Sequence, residues 1–140
     1  MSSSDDSLED KQKNIPEDDI ILMISGSRCI RNGYPIKQYL DGYLLTLPSR
    51  PTKFISGHAI GVDRFGEEWA TQNNIPIELY KPEYSKHGKG APLIRNKEMV
   101  DESTHLIAFP ISESRGTYYT INYAQQQGLN IHIKQADEWK

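Results

Sequence analysis

The chain carries a single cysteine, Cys29, in 140 residues. No disulfide can close within it and no thiolate cluster can hold a metal, which fits a reducing, cytoplasmic compartment. Histidine supplies no metal site either. His58, His87, His105 and His132 stand far apart, without HxH or HxxxH spacing and without a bracketing carboxylate cluster. No metal and no cofactor is therefore expected. Long apolar runs are also missing: nothing approaches the roughly 18 residues that a membrane helix requires. The N-terminus is acidic and polar, the opposite of a signal peptide, so no membrane is an expected partner. No GxSxG nucleophile elbow is present. The full dinucleotide fingerprint, with three spaced glycines and an acid after the second strand, is absent too. Finally, the charge is not of one sign: 16 basic residues oppose 19 acidic ones, for a net charge of −3. Residues 2–19 hold seven acids against two lysines, so the remainder is near neutral or mildly basic. Duplex nucleic acid needs a broad basic face and is not an expected partner. A local basic pocket remains open.

Residues 1–19 are rich in Ser, Asp and Glu and poor in apolar side chains. Such a segment cannot bury enough surface to offset its ordering entropy, and reads as a disordered acidic tail. Residues 20–140 are long enough for one domain with its own core. Within them, the apolar run Ile20 to Ile24 has no alternation, as expected of a strand buried on both faces. Ile36, Tyr39, Leu40, Tyr43, Leu44 and Leu47 follow at helical spacing over 34–47, and Pro48 and Pro51 end the helix. Further strands are expected at 54–56, 76–80, 105–109 and 130–133. Further helices are expected at 63–72, 91–100 and 116–127, the last closed by Gly128 as a left-handed cap. Residues 81–90 read as a loop. Strict alternation of strand and helix implies an α/β, Rossmann-like three-layer sandwich: a five-stranded parallel sheet with helices on both faces. Ligands of such sheets sit beyond the carboxyl ends of the strands, where the strand order switches.

The glycine-bearing and polar segments all follow strands, so all lie at that one edge. After the first strand, Gly26 and Ser27 offer N–H and hydroxyl groups, and Arg28 offers a bidentate guanidinium, unless it is a solvated loop residue. After the second, Gly57, His58 and Gly61 lead into a helix whose N-terminus favours an anion. Gly57 and Gly61 lack the Cβ that would hold a ligand away from the backbone. Asp63 is either the N-cap of that helix or an acceptor for a ribose hydroxyl. Arg95 and Asn96 stand one turn inside the next helix, and the bland reading of Arg95 is a surface salt bridge with Glu98 or Asp101. Before the last helix, Arg115, the Gly116 N–H and the Thr117 hydroxyl form a compact anion cradle. His87 reads as a loop histidine, and Cys29 as an unactivated thiol.

The pieces Ile24-Ser-Gly-Ser-Arg28, Ser56-Gly-His-Ala-Ile-Gly-Val-Asp-Arg64 with Trp69-Ala70, His87-Gly-Lys-Gly-Ala91 with Ile94-Arg-Asn-Lys-Glu-Met99, and Arg115-Gly-Thr117 stand in this order along the chain. Together they resemble the SLOG (Smf/DprA–LOG) superfamily, and more closely its YspA/YpsA-related branch of stand-alone domains. The resemblance implies a Rossmann-like fold that binds nucleotides or nucleotide derivatives, with ADP-ribose-related or nucleoside-monophosphate ligands proposed within the superfamily. Gly26, Arg28, Gly57, Gly61, Asp63, Arg95, Asn96, Gly116 and Thr117 fall at the motif positions. One departure bears on activity. The phosphoribohydrolases of the superfamily carry PGGxGTxxE, whereas here the residue three after Thr117 is Thr120, with Ile121 next, and no glutamate stands at the matching place. Glu113 lies in the preceding loop.

Three functions are therefore expected in descending order. The first is binding of a phosphorylated nucleoside or ADP-ribose-like small molecule, as a ligand sensor. The second is hydrolysis of a nucleotide bond with Glu113, Asp63 or Glu67 as acid or base. The third is single-stranded nucleic-acid binding on the faces of Tyr84, Tyr118, Tyr119 and Tyr123. Tyr39, Tyr43 and Tyr123 are the candidate face for a homo-oligomer.

Overall fold

The structure is a computed structural model that describes residues 19–140. The acidic tail expected over residues 1–19 lies outside the described residues, apart from Asp19. Five strands, β1 (Ile21–Gly26), β2 (Lys53–Ser56), β3 (Ile77–Leu79), β4 (His105–Phe109) and β5 (Asn130–Ile133), form one sheet in the order β3-β2-β1-β4-β5. Every pairing is parallel. The helices are α1 (Tyr34–Thr46), α2 (Val62–Gln72), a single turn α3 (Tyr84–His87), α4 (Ala91–Asp101) and α5 (Arg115–Gln126). The α/β three-layer architecture expected from the sequence is the one observed.

The central strands explain the layers. β1 alternates its buried side chains between the two faces of the sheet: Leu22 and Ile24 join one core cluster, Met23 the other. The first cluster takes Ile36 and Leu40 of α1 and Val62, Trp69 and Ala70 of α2. The second takes Met99 and Val100 of α4 and Ile121 and Ala124 of α5. So α1 and α2 cover one face while α4 and α5 cover the other. Trp69 and Phe54 are among the largest fully buried side chains, with ring centroids 6.1 Å apart. The Trp69 indole N–H is satisfied by the Asp41 carboxylate at 2.8 Å.

Local signals account for the helix ends. Pro35 sits in the first turn of α1, where its missing N–H costs nothing. Gly128, just past α5, has φ 77°, the left-handed cap expected of it. Three short elements escaped the sequence reading. Residues 81–90 contain α3 and a 3₁₀ turn over Gly88–Gly90, and a second 3₁₀ turn spans Asp137–Trp139. All three are too short to show a periodicity.

The tyrosines do not form the common oligomer face suggested above. Tyr43 is buried and Tyr39 packs edge-on against Phe109, with its hydroxyl 2.6 Å from His132 Nε2. Both belong to the first core cluster, whereas Tyr123 packs on the second, on the opposite side of the sheet, and donates to Asp101 at 2.7 Å. Among the described residues, no helix is long and apolar enough to cross a membrane.

Candidate functional site

The chain leaves β1 toward the α1 face and leaves β4 toward the α5 face. These strands are neighbours, so their outgoing loops diverge and open a crevice at the switch in strand order. A cavity of about 290 Å³ occupies it. Eight of the twelve residues expected at the site line this cavity: Gly26, Ser27, Arg28, Asp63, Arg95, Asn96, Gly116 and Thr117. A second compartment of about 280 Å³ adjoins it and shares Arg28, Ala59 and Arg95 with the first. Gly57 and His58 line that second compartment. Gly61 and Arg115 line neither.

The first loop is fixed from both sides. Ser27 N–H donates to the Phe109 carbonyl at the end of β4, at 3.1 Å, and the Ser27 carbonyl accepts from Val62 N–H at the start of α2, also at 3.1 Å. Its hydroxyl accepts from Cys29 N–H at 2.9 Å, which turns the chain and leaves Arg28 exposed. Arg28 makes no side-chain hydrogen bond among the described residues, so its guanidinium remains available at the mouth of the cavity.

Arg95 differs from its bland reading as a surface residue paired with Glu98 or Asp101. It is only 5% exposed. One nitrogen donates to the Gly57 carbonyl at 2.7 Å and to the Tyr80 carbonyl at 3.1 Å, and Nε donates to Asn96 Oδ1 at 2.7 Å. Burial holds its pKa below the ordinary guanidinium value, against the pull of nearby Asp63. The hydrogen bonds go to neutral acceptors. They fix the orientation of the cation without cancelling its charge. Asn96 completes the arrangement by donating to Thr120 Oγ1 at 2.8 Å, which ties α4 to α5.

The two glycines of the β2–α2 turn serve this packing rather than leaving room for a ligand. A Cβ on Gly57 would stand 2.7 Å from an Arg95 guanidinium nitrogen. A Cβ on Gly61, whose φ is 87°, would stand 2.5 Å from the Ser27 carbonyl oxygen. A Cβ on Gly26 would likewise strike Val62 and the Phe109 carbonyl. Each glycine lets one part of the chain approach another. Of the four glycines expected at the site, only Gly116 has open space where its Cβ would be.

Asp63 is not the N-cap; Gly61 holds that position and Asp63 lies in the first turn of α2. Its carboxylate reaches back to accept Ala59 N–H at 3.2 Å. Burial pushes its pKa up to about 7, only partly offset by that hydrogen bond and by the charges of Arg95 and Arg28. The cavity therefore has a carboxyl group that changes charge near neutrality.

The start of α5 has no side-chain cap. The N–H groups of Gly116 and Thr117 have no acceptor among the described residues, and both residues face the cavity. The Thr117 hydroxyl likewise makes no hydrogen bond there. This leaves an uncapped helix N-terminus on the cavity that Arg28 also lines. The expected cradle is thus partly assembled, because Arg115 is exposed and outside it. Glu113 lines the same cavity, with Lys140 3.6 Å from its carboxylate.

The sequence reading missed one constellation. Glu67 of α2 accepts the Ser56 hydroxyl at 2.7 Å and lies 2.8 Å from His58 Nδ1. His58 is held with φ 59°, a left-handed conformation that few non-glycine residues adopt. The signal was present: Glu67 stands four residues after Asp63, so both project from the same face of α2 toward the turn. Among the described residues, no group of three or more His, Cys, Asp or Glu side chains could hold a metal.

Residues 20–87 match the family described as the YspA, cpYpsA-related SLOG family (YAcAr). The Gene 61 protein of Mycobacterium phage D29 is 32% identical over 116 residues, which cover 79% of this chain and 92% of that protein. The chain belongs to the YspA, cpYpsA-related SLOG family. The SLOG match includes the β1–α1 loop and the β2–α2 turn, and so covers Gly26, Arg28, Gly57, His58, Gly61 and Asp63. It ends before α4 and α5, whose site residues rest on the geometry above. Among solved structures, the DNA processing protein A (DprA) of Streptococcus pneumoniae superposes with a TM-score of 0.65 at 17% identity. The superposition covers 82% of this SLOG chain and 50% of DprA, so the chain spans half the length of that protein and the likeness is one of fold.

Proposed function

We propose that the protein binds a nucleotide or nucleotide-derived phosphate, of which an ADP-ribose-like molecule is the type, in the crevice between β1 and β4. The observation that carries this reading is the meeting of Arg28, Arg95 and the uncapped N-terminus of α5 on one cavity, at the switch in strand order. Two guanidinium groups and two free N–H groups there can meet phosphate oxygens together. Membership of the SLOG family, whose relatives suggest nucleotide-related or nucleic-acid-related roles, supports the same ligand class.

Thermal shift and calorimetric titration with AMP, ADP and ADP-ribose test the reading. A ligand at about 100 times its dissociation constant adds roughly 2.7 kcal/mol of stability. For a domain of this size that raises Tm by roughly 10 °C. No shift with any of the three at millimolar concentration refutes it.

A second reading, single-stranded nucleic-acid binding, is favoured by the exposed rings of Tyr84, Tyr118 and Tyr119 and by the likeness to a DNA processing protein. It requires an affinity for oligonucleotides that falls steeply with salt, and a salt-independent affinity dismisses it.

A further inference from the structure

The second compartment has features that phosphate binding alone does not use. It is lined by three arginines, Arg28, Arg64 and Arg95, together with His58. The His58 ring is 33% exposed. Its Nδ1 lies 2.8 Å from Glu67 Oε1 and 3.1 Å from Oε2. A carboxylate accepts and does not donate, so this contact places the ring proton of neutral His58 on Nδ1. Nε2 is then left with its lone pair and without a partner among the described residues. Glu67 is in turn fixed by the Ser56 hydroxyl, and the His58 N–H donates to Ser56 Oγ at 3.1 Å. The backbone of His58 is held at φ 59° in this arrangement. An imidazole oriented by a carboxylate, with its second nitrogen free beside phosphate-binding groups, has the geometry of a general base.

We propose that His58, positioned by Glu67, is a catalytic acid–base residue that hydrolyses the diphosphate bond of a nucleoside diphosphate derivative bound across the two compartments. The inference rests on the binding reading above. Each compartment alone is smaller than the usual range of about 300–1,000 Å³ for a ligand site, but the two adjoin. Arg28 and Arg95 line both. A ligand with one group in each compartment therefore sets its diphosphate bridge between these cations. In the reaction, Nε2 takes one proton from water as the water oxygen bonds to phosphorus. The bridging P–O bond breaks and its electron pair stays on the departing phosphate oxygen, to which Nε2 then returns the proton. Arg28, Arg64 and Arg95 offset the charge that builds on the phosphoryl oxygens. From ADP-ribose and water, the products are AMP and ribose 5-phosphate.

The test incubates the full chain with ADP-ribose, with and without magnesium, from pH 5.5 to 9. Binding is followed by calorimetry and the products by ³¹P NMR, in water enriched in ¹⁸O. The charged groups around His58 are Glu67 and Arg64 of α2, Asp63 of the same helix, Arg28 of the first loop and Arg95 of α4, and the profile is read against that set. The wild type yields AMP and ribose 5-phosphate, with label in one of the two phosphates. His58→Asn loses about 100-fold or more in kcat while keeping its affinity within a few fold, and Glu67→Gln shifts the acid limb of the pH profile. Asn and Gly both tolerate the left-handed backbone, so neither replacement strains the fold. His58→Gly regains rate on addition of imidazole, which a merely structural histidine would not allow. ADP-ribose that binds but is recovered intact at every pH overturns this proposal and leaves the binding reading standing. Turnover unaffected in His58→Asn, or cleavage that releases adenine instead, overturns it as well. Absence of any binding sinks the reading beneath and the proposal with it.

Discussion

Replacing Asp63 by Asn should make the protein more stable at neutral and alkaline pH. Asp63 is 7% exposed and accepts one hydrogen bond, from Ala59 N–H at 3.2 Å. Burial raises its pKa from 3.8 to about 7. The folded state therefore holds this proton more tightly than the unfolded chain does. Its contribution to stability is fully present below about pH 3.8 and is lost as pH rises through about 7. Three units at about 1.36 kcal/mol each give a loss of about 4 kcal/mol across that window. Asn has the same shape, carries no charge and still offers an oxygen to Ala59 N–H. It removes the penalty without removing the hydrogen bond. In urea unfolding at intervals from pH 4 to pH 8.5, the wild type should lose stability relative to Asp63→Asn, with most of the change between pH 4 and 7. At pH 8 the variant should be the more stable by about 2–4 kcal/mol. Parallel curves, or a variant that is weaker at pH 8, would show that Arg28 and Arg95 keep the carboxylate ionised and that the burial argument is wrong.

Other perturbations separate packing from ligand contact. Gly61→Ala forces a Cβ to 2.5 Å from the Ser27 carbonyl at φ 87° and should cost about 2–4 kcal/mol; a urea midpoint within 1 kcal/mol of wild type would deny that the turn is so tightly packed. Arg28→Ala should weaken ADP-ribose or AMP binding by roughly 10- to 100-fold with an unchanged Tm, because the side chain lines both compartments and holds nothing else. Arg115→Ala, outside both, should weaken it much less, and the reverse order in a titration would reassign the cradle. Tyr43 has a buried hydroxyl without a partner among the described residues, which burial pushes up to about 12. Tyr43→Phe should therefore hold or raise stability, by up to about 1 kcal/mol, and a clear loss in thermal unfolding would reveal a hidden hydrogen bond.

The fold was legible because the hydrophobic signal was strong. Strands such as Ile21–Gly26 and His105–Phe109 are buried on both faces, and their unbroken apolar runs admit few alternatives. The edge of the sheet where the site forms followed from that alternation alone. What each site residue does there was less legible. Gly57 and Gly61 carry a sequence signature equally suited to a ligand and to close chain packing, and only coordinates reveal Arg95 and Ser27 in the space a Cβ would fill. Arg95 looked exposed because its helix is polar at that point; its acceptors, the Gly57 and Tyr80 carbonyls, are 38 and 15 residues away. The contact between His58 and Glu67 depends on a left-handed backbone at His58, which no propensity assigns to histidine in advance.

Asp63 also links the packing of the site to its proposed ligand. Arg95 is anchored by carbonyls, and the carboxyl group whose charge acts on it, Asp63, has its pKa pushed by burial to about 7. An anion entering the cavity places further negative charge beside Asp63, and like charge raises a carboxyl pKa. The bound state then holds a proton that the free state has partly released. Binding of ADP-ribose at pH 7.5 should take up a fraction of a proton, and affinity should decline as pH rises above about 7. Titration calorimetry in two buffers of different ionisation enthalpy measures that uptake directly. In Asp63→Asn the uptake should vanish and the affinity should no longer decline over this range. Equal uptake in both proteins would move the titrating group elsewhere and would remove Asp63 from any role in tuning the charge of the cavity.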